Sequence, residues 1–97
     1  MVYVGAVNSA HFDITMLMLD HGKHVLVEKP FTLNEKQSKT LIEHAKAKKL
    51  FIMEAIWSRY FPAYQHVKQL IDNGTLGEIK EVEVEFGFKI AEVDRLA

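Results

Sequence analysis

The 97-residue sequence predicts an α/β fold: a parallel sheet wound with helices, followed by the start of an α+β open-sheet domain. Two observations carry this. Three short apolar runs, at 2–6, 24–28 and 50–54, are separated by two segments with helical periodicity. After Ile56 the pattern changes, and the run from 79 to 88 alternates apolar and charged residues.

The first run, VYVGA, is β-branched and aromatic, as expected of a buried strand. Asn8 and Ser9 follow as candidate helix caps. From Ala10 to His21, Ile14, Leu17 and Met18 fit one helical face, and Gly22 is placed to stop the helix. HVLVE is the second apolar run. In the next helix Asn34 caps, Gln37 stands three residues on, and Leu41, Ile42 and Ala45 form the buried stripe. LFIMEA is the third run. Strand, helix, strand, helix, strand makes two successive βαβ units with right-handed crossovers. Strands apolar throughout, without alternation, suggest helices on both faces, the pattern of a doubly wound, Rossmann-like nucleotide-binding sheet.

Beyond Ile56, WSRYFPAY is aromatic, and its proline suits the first turn of a helix carrying Tyr64, Val67, Leu70 and Ile71. DNGTLG is rich in turn formers. Val82, Val84, Phe86 and Phe88 then alternate with Glu81, Glu83 and Glu85, with Ile79 out of phase and a bulge or strand start expected near Lys80. A strand with one wet face differs in kind from the first three. The boundary therefore falls between 1–56, the C-terminal part of a dinucleotide-binding domain, and 57–97, a truncated second domain. One helix and one strand cannot bury that many apolar side chains, and no glycine arrangement makes G-x-G-x-x-G. The expectation is a fragment, lacking the front of one domain and the back of another.

Composition narrows the function. Twelve basic and thirteen acidic residues give a net charge of -1, which argues against nucleic acid or an anionic membrane as partner. Cysteine is absent, so disulfides and thiolate metal sites are excluded. His21, His24, His44 and His66 show no ligand spacing, and no metal site is expected. The N-terminus has no basic n-region, and no run approaches the roughly 20 apolar residues of a membrane span. A cytoplasmic location is the default.

Chemistry concentrates where the second run ends in Glu28-Lys29-Pro30. Ligands of open α/β sheets bind at the carboxyl ends of the strands. An ammonium held there can hydrogen-bond a substrate oxygen and stabilise charge as hydride moves. Pro30 fixes its own φ and restricts Lys29 to extended backbone, which aims the side chain. Asn8 and His11 lie just past the first strand at the same edge, although a capping role suits Asn8 equally. Tyr3 sits within the strand, where core packing is the simplest expectation. Trp57 and Phe86 are aromatic candidates for a substrate pocket, with core packing the alternative.

The blocks VYVGAVNSAH, GKHVLVEKPFTLN, LFIMEAIWSRYFPAY and IDNGTLGEIKEVEVEFGF, in this order and spacing, resemble the glucose–fructose oxidoreductase and inositol dehydrogenase family, Gfo/Idh/MocA. MEAIWSRYFP is similar to the branch that oxidises trans-dihydrodiols and aldopyranoses such as D-xylose. The resemblance implies an NADP-dependent dehydrogenase, with NAD as the other cofactor to consider, acting on a small molecule and homodimeric when complete; the alternatives are another sugar or inositol dehydrogenase of the family and a non-catalytic dinucleotide-binding sensor. It implies that Lys29 is catalytic or positions the nicotinamide. Glu28 would touch the cofactor ribose or orient Lys29, and Tyr3, Asn8, His11 and Pro30 would lie against the cofactor. Trp57 and Phe86 would face the substrate. A cis Lys29–Pro30 bond is expected on the same ground.

Overall fold

The computed structural model describes residues 1–87. In chain order it contains β1 (Val2–Val4), a 3-10 turn at Asn8–Ala10, α1 (His11–Asp20), β2 (Val25–Val27) and α2 (Glu35–Ala47). These are followed by β3 (Ile52–Glu54), a second 3-10 turn at Trp57–Tyr60 and α3 (Pro62–Asp72). The chain divides into two compact units, Met1–Ile56 and Trp57–Ala97.

In the first unit the strands form one parallel sheet in the order β1-β2-β3, with Val4 level with Val27 and Val27 level with Glu54. Each strand is three residues long, shorter than the five-residue apolar runs. The backbone pairing nevertheless continues past the ends: Glu28 donates to the Val4 carbonyl at 2.9 Å and Ala55 to the Val27 carbonyl at 2.7 Å.

Strand order running one way with two right-handed crossovers puts both helices on the same face of the sheet. Burial agrees with this. Val4, Val25 and Val27 are buried with Leu19 of α1 and with Leu41 and Ala45 of α2. The other row of the sheet, Tyr3, Leu26 and Met53, is not: Tyr3 is 59% exposed and the other two are half-buried. Helices on both faces were expected. Covering the second face requires a strand order that reverses, and within this unit it does not. Tyr3 is accordingly not a core residue.

The helix termini follow their local chemistry. Asn34 Oδ1 accepts the Gln37 N–H at 3.0 Å, and Gln37 Oε1 accepts the Leu33 N–H at 3.2 Å, a reciprocal cap at the start of α2. Past α1, Gly22 adopts φ +69°, the left-handed conformation glycine tolerates best, and its N–H closes on the Leu19 carbonyl at 2.9 Å. Pro62 occupies the first turn of α3. Asn8 caps nothing: α1 begins after Ala10 without a side-chain cap, and Asn8 opens the short 3-10 turn instead.

The buried stripe of α1 is His11, Thr15 and Leu19, not the expected Ile14, Leu17 and Met18. Ile14 and Met18 flank the core, and Leu17 is 51% exposed. Two polar residues on the inner stripe disguise it in the apolar pattern. In α2, Leu41 and Ala45 are buried as expected, whereas Ile42 lies at the margin. At the far end of these helices Asp20 gathers His44 Nε2 at 2.8 Å and Lys48 Nζ at 3.0 Å, tying α1 to α2. Hydrogen bonds from Lys48 and then His44 hold the Asp20 carboxyl below its ordinary range.

In the second unit α3 packs on the Trp57–Tyr60 turn, where Trp57 meets Phe61 edge-on at 5.0 Å between ring centroids. The alternating segment is not a strand over residues 79–87, and Val82, Val84 and Phe86 are largely exposed. Alternation makes a face, but a strand also needs a ladder with a neighbouring strand, and the sheet of the described residues consists of β1, β2 and β3. Phe88, the end of the expected strand, lies outside them. Among the described residues no helix is long and apolar enough to cross a membrane.

Candidate functional site

The carboxyl ends of β1, β2 and β3 come level, so the segments that follow them share one edge of the sheet. Asn8 follows β1, Glu28 and Lys29 follow β2, and Glu54 closes β3. This is the edge at which parallel α/β sheets hold ligands.

A connected set of hydrogen bonds builds the site. The Tyr3 hydroxyl donates to Glu28 Oε1 at 2.7 Å. Glu28 Oε2 accepts the Lys29 backbone N–H at 2.9 Å. His11, fully buried at the start of α1, faces the Pro30 carbonyl with Nδ1 at 2.8 Å and the Ala6 carbonyl with Nε2 at 3.0 Å. Glu54 Oε1 accepts the Phe31 N–H at 2.8 Å. The Lys29–Pro30 peptide is cis, as expected. Backbone groups of Lys29, Pro30 and Phe31 are thus each held by a side chain from a different place. The Lys29 ammonium has no hydrogen-bond or ion-pair partner among the described residues, and its side chain is exposed.

The electrostatics follow from these contacts. The Tyr3 hydroxyl, and after it the Lys29 amide, lower the pKa of the Glu28 carboxyl below its ordinary value. The same hydrogen bond to a carboxylate raises the Tyr3 phenol. Glu28 is therefore an anion beside the Lys29 cation, an acceptor next to a donor at one edge. Gly5 contributes by being small: a Cβ there would stand 3.0 Å from Tyr3 Cε1, so the glycine leaves space for the ring beside the chain after β1.

Of the residues singled out from sequence, Tyr3, His11, Glu28, Lys29 and Pro30 are joined in this cluster, and Asn8 lies at the same edge. Trp57 and Phe86 lie in the second unit, 59% and 85% exposed, so neither is the core residue that was the alternative. His11 turns both ring nitrogens to backbone carbonyls, so it reaches the edge by holding the chain. Glu54 was missed. Its signal was a carboxylate ending the third apolar run, as Glu28 ends the second. No group of side chains that could hold a metal ion occurs among the described residues.

A parallel sheet whose strands end together at one polar edge is the arrangement of α/β proteins that bind ligands at that edge. Residues 1–56 match the family model described as "Oxidoreductase family, NAD-binding Rossmann fold", and the chain belongs to this Gfo/Idh/MocA family. It is 39% identical over 94 residues to a trans-1,2-dihydrobenzene-1,2-diol dehydrogenase of Xenopus tropicalis, covering 97% of this chain and 28% of the relative. It is 51% identical over 78 residues to the D-xylose 1-dehydrogenase (NADP(+)) of Hypocrea jecorina, covering 80% of this chain and 20% of that protein. Among solved structures, a 3-ketoreductase from Actinomadura kijaniata in complex with NADP superposes with a TM-score of 0.70 at 34% identity. That match spans 79% of this chain and 25% of the reductase. An NAD binding oxidoreductase from Klebsiella pneumoniae gives 0.74 at 32% identity, over 79% and 20% of the two chains. The chain thus spans a little over a quarter of the dihydrodiol dehydrogenases it matches.

Proposed function

We propose that the protein carrying this chain is an NADP-dependent dehydrogenase that oxidises a secondary alcohol of a trans-dihydrodiol or of an aldopyranose such as D-xylose. The observation that carries this is the exposed Lys29 ammonium, held by its backbone at the carboxyl edge beside the Glu28 carboxylate. The dihydrodiol and D-xylose dehydrogenases among the relatives favour these substrates. NADP, part of the xylose dehydrogenase's name and bound to the 3-ketoreductase, is the cofactor they favour.

The residues present fit the nicotinamide–ribose end of such a cofactor. A carboxylate can accept from ribose hydroxyls, an ammonium can donate to the carboxamide or to the reacting oxygen, and Asn8 can do either. The five glycines form no G-x-G-x-x-G turn, so no pyrophosphate contact is assigned to these residues. When bound, the oxidised nicotinamide supplies the hydride acceptor. As the alcohol becomes a carbonyl its hydroxyl proton passes to solvent, and Lys29 donates a hydrogen bond to the oxygen and stabilises the charge that develops there. Glu28, kept anionic by Tyr3 and the Lys29 amide, holds a ribose hydroxyl and balances the ammonium charge. Residues 57–97 begin the substrate and dimerisation domain, with Trp57 and Phe86 offering aromatic faces to an arene or a sugar ring. The complete protein is a homodimer.

Lys29→Met in the full-length protein tests the assignment. Turnover with NADP should fall about 10²-fold or more, as when a comparable preorganised donor is removed, with the fold intact by circular dichroism. Near-normal turnover would show that Lys29 is an ordinary surface lysine.

A further inference from the structure

We propose that Glu54 is a positioning residue for Lys29: its carboxylate holds, from the neighbouring strand, the turn that carries the ammonium. The proposal rests on the assignment of Lys29 to the reacting oxygen.

The Lys29 side chain has no partner of its own among the described residues, so its backbone must fix where the ammonium stands. Three ties hold that backbone, and they are not equivalent. Glu28 binds the Lys29 N–H from the adjacent residue and is itself tied to β1 through the Tyr3 hydroxyl. His11 binds the Pro30 carbonyl from the α1 side. Glu54 binds the Phe31 N–H across 23 residues of sequence and anchors the turn to β3.

That anchor is itself fixed. Glu54 stands level with Val27, and the next residue donates its N–H to the Val27 carbonyl at 2.7 Å. The end of β3 is therefore locked to the end of β2, two residues before the lysine. The Glu54 side chain is half-buried, and a carboxylate accepting a backbone N–H makes a charge-assisted bond roughly twice as strong as a neutral one. His11 and Glu54 hold the turn from opposite sides, α1 and β3. Loss of either leaves it free to shift.

The test uses the full-length protein with NADP and a turned-over sugar or dihydrodiol. Glu54→Leu keeps the volume and removes the acceptor, and kcat should fall about 10- to 100-fold, the scale of a displacement of roughly 1 Å at a reacting group. KM for NADP should change by less than about threefold, because the ammonium, not the cofactor grip, is displaced. Glu54→Gln retains an acceptor oxygen and should recover most of the loss. Amide exchange at Phe31 should accelerate in the Leu variant and much less in the Gln variant. Combined with Lys29→Met, Glu54→Leu should cost little more, since both act through one ammonium.

Equal losses in the Gln and Leu variants would overturn the hydrogen-bonding role. So would a Leu effect that persists undiminished in the Lys29→Met background. If Lys29→Met alone leaves turnover normal, the assignment of Lys29 fails, while unchanged Phe31 exchange in Glu54→Leu would separately remove the anchor.

Discussion

Leu19→Ala should destabilise the protein by about 3 kcal/mol, and the structure gives the reason and the control. Leu19 is fully buried in α1 among Val4, Val25, Val27, Leu41 and Ala45, where both helices meet the sheet. Losing the carbons beyond Cβ forfeits roughly 2–2.5 kcal/mol of transfer free energy at about 0.8 kcal/mol per methylene. The cavity left behind adds to this, and Leu-to-Ala changes in cores cost about 2–5 kcal/mol in all. The lower half of that range applies here. The outer side of α1, where Leu17 lies, is exposed, so the helix can settle partly into the space. Leu17 is the control: it is two residues away on the same helix, is 51% exposed, and belongs to the stripe that periodicity alone selects. Leu17→Ala should cost no more than about 0.5 kcal/mol, as surface changes do. Equilibrium urea denaturation of the full-length protein, followed by circular dichroism, measures both. With a slope of about 1–3 kcal/mol/M, the Leu19→Ala midpoint should fall by roughly 1–3 M. A Leu17→Ala loss equal to or larger than that of Leu19→Ala would refute the helix orientation, and the placement of His11 with it.

Tyr3→Phe should move the Glu28 carboxyl partway back toward its ordinary value of 4.5, because the Lys29 amide still lowers it. A depressed carboxylate stabilises the fold above its unfolded pKa and loses that contribution as pH falls through the folded value. Acidification below the ordinary carboxylate range should therefore cost the Phe variant less than the parent. Carboxyl carbon NMR titration of Glu28 reads the shift, and an unchanged titration would remove Tyr3 from the site. The 97-residue chain expressed by itself should associate, bind NADP weakly or not at all, and show no dehydrogenase activity. Val82, Val84 and Phe86 expose apolar area, as do Tyr64 and Val67 on α3, and exposed apolar patches drive association. Size-exclusion chromatography and a cofactor titration check this, and a monodisperse monomer binding NADP at micromolar concentration would contradict it.

Local chemistry made much of the first unit legible in sequence. The three apolar runs became β1, β2 and β3 because short β-branched runs separated by helical segments pair side by side in parallel. Gly22 and the Asn34–Gln37 pair set helix ends through groups a few residues apart, which sequence spacing reports directly. Lys29 and Glu28 were placed at the ligand edge because both follow a strand, and strand direction fixes the edge.

Tertiary structure decided what depends on partners distant in the chain. Tyr3 proved to be an exposed hydroxyl on Glu28 because both helices took the other face of the sheet, a consequence of strand order. The inner stripe of α1 contains a histidine and a threonine, and the histidine is accommodated by two backbone carbonyls that sequence cannot place. The run from 79 to 87 alternates without forming a strand, because pairing is a property of two segments and periodicity of one. Glu54 shows the same division. Its identity and its place at the end of an apolar run were written in the sequence, but its hold on Phe31 exists only because β3 lies beside β2.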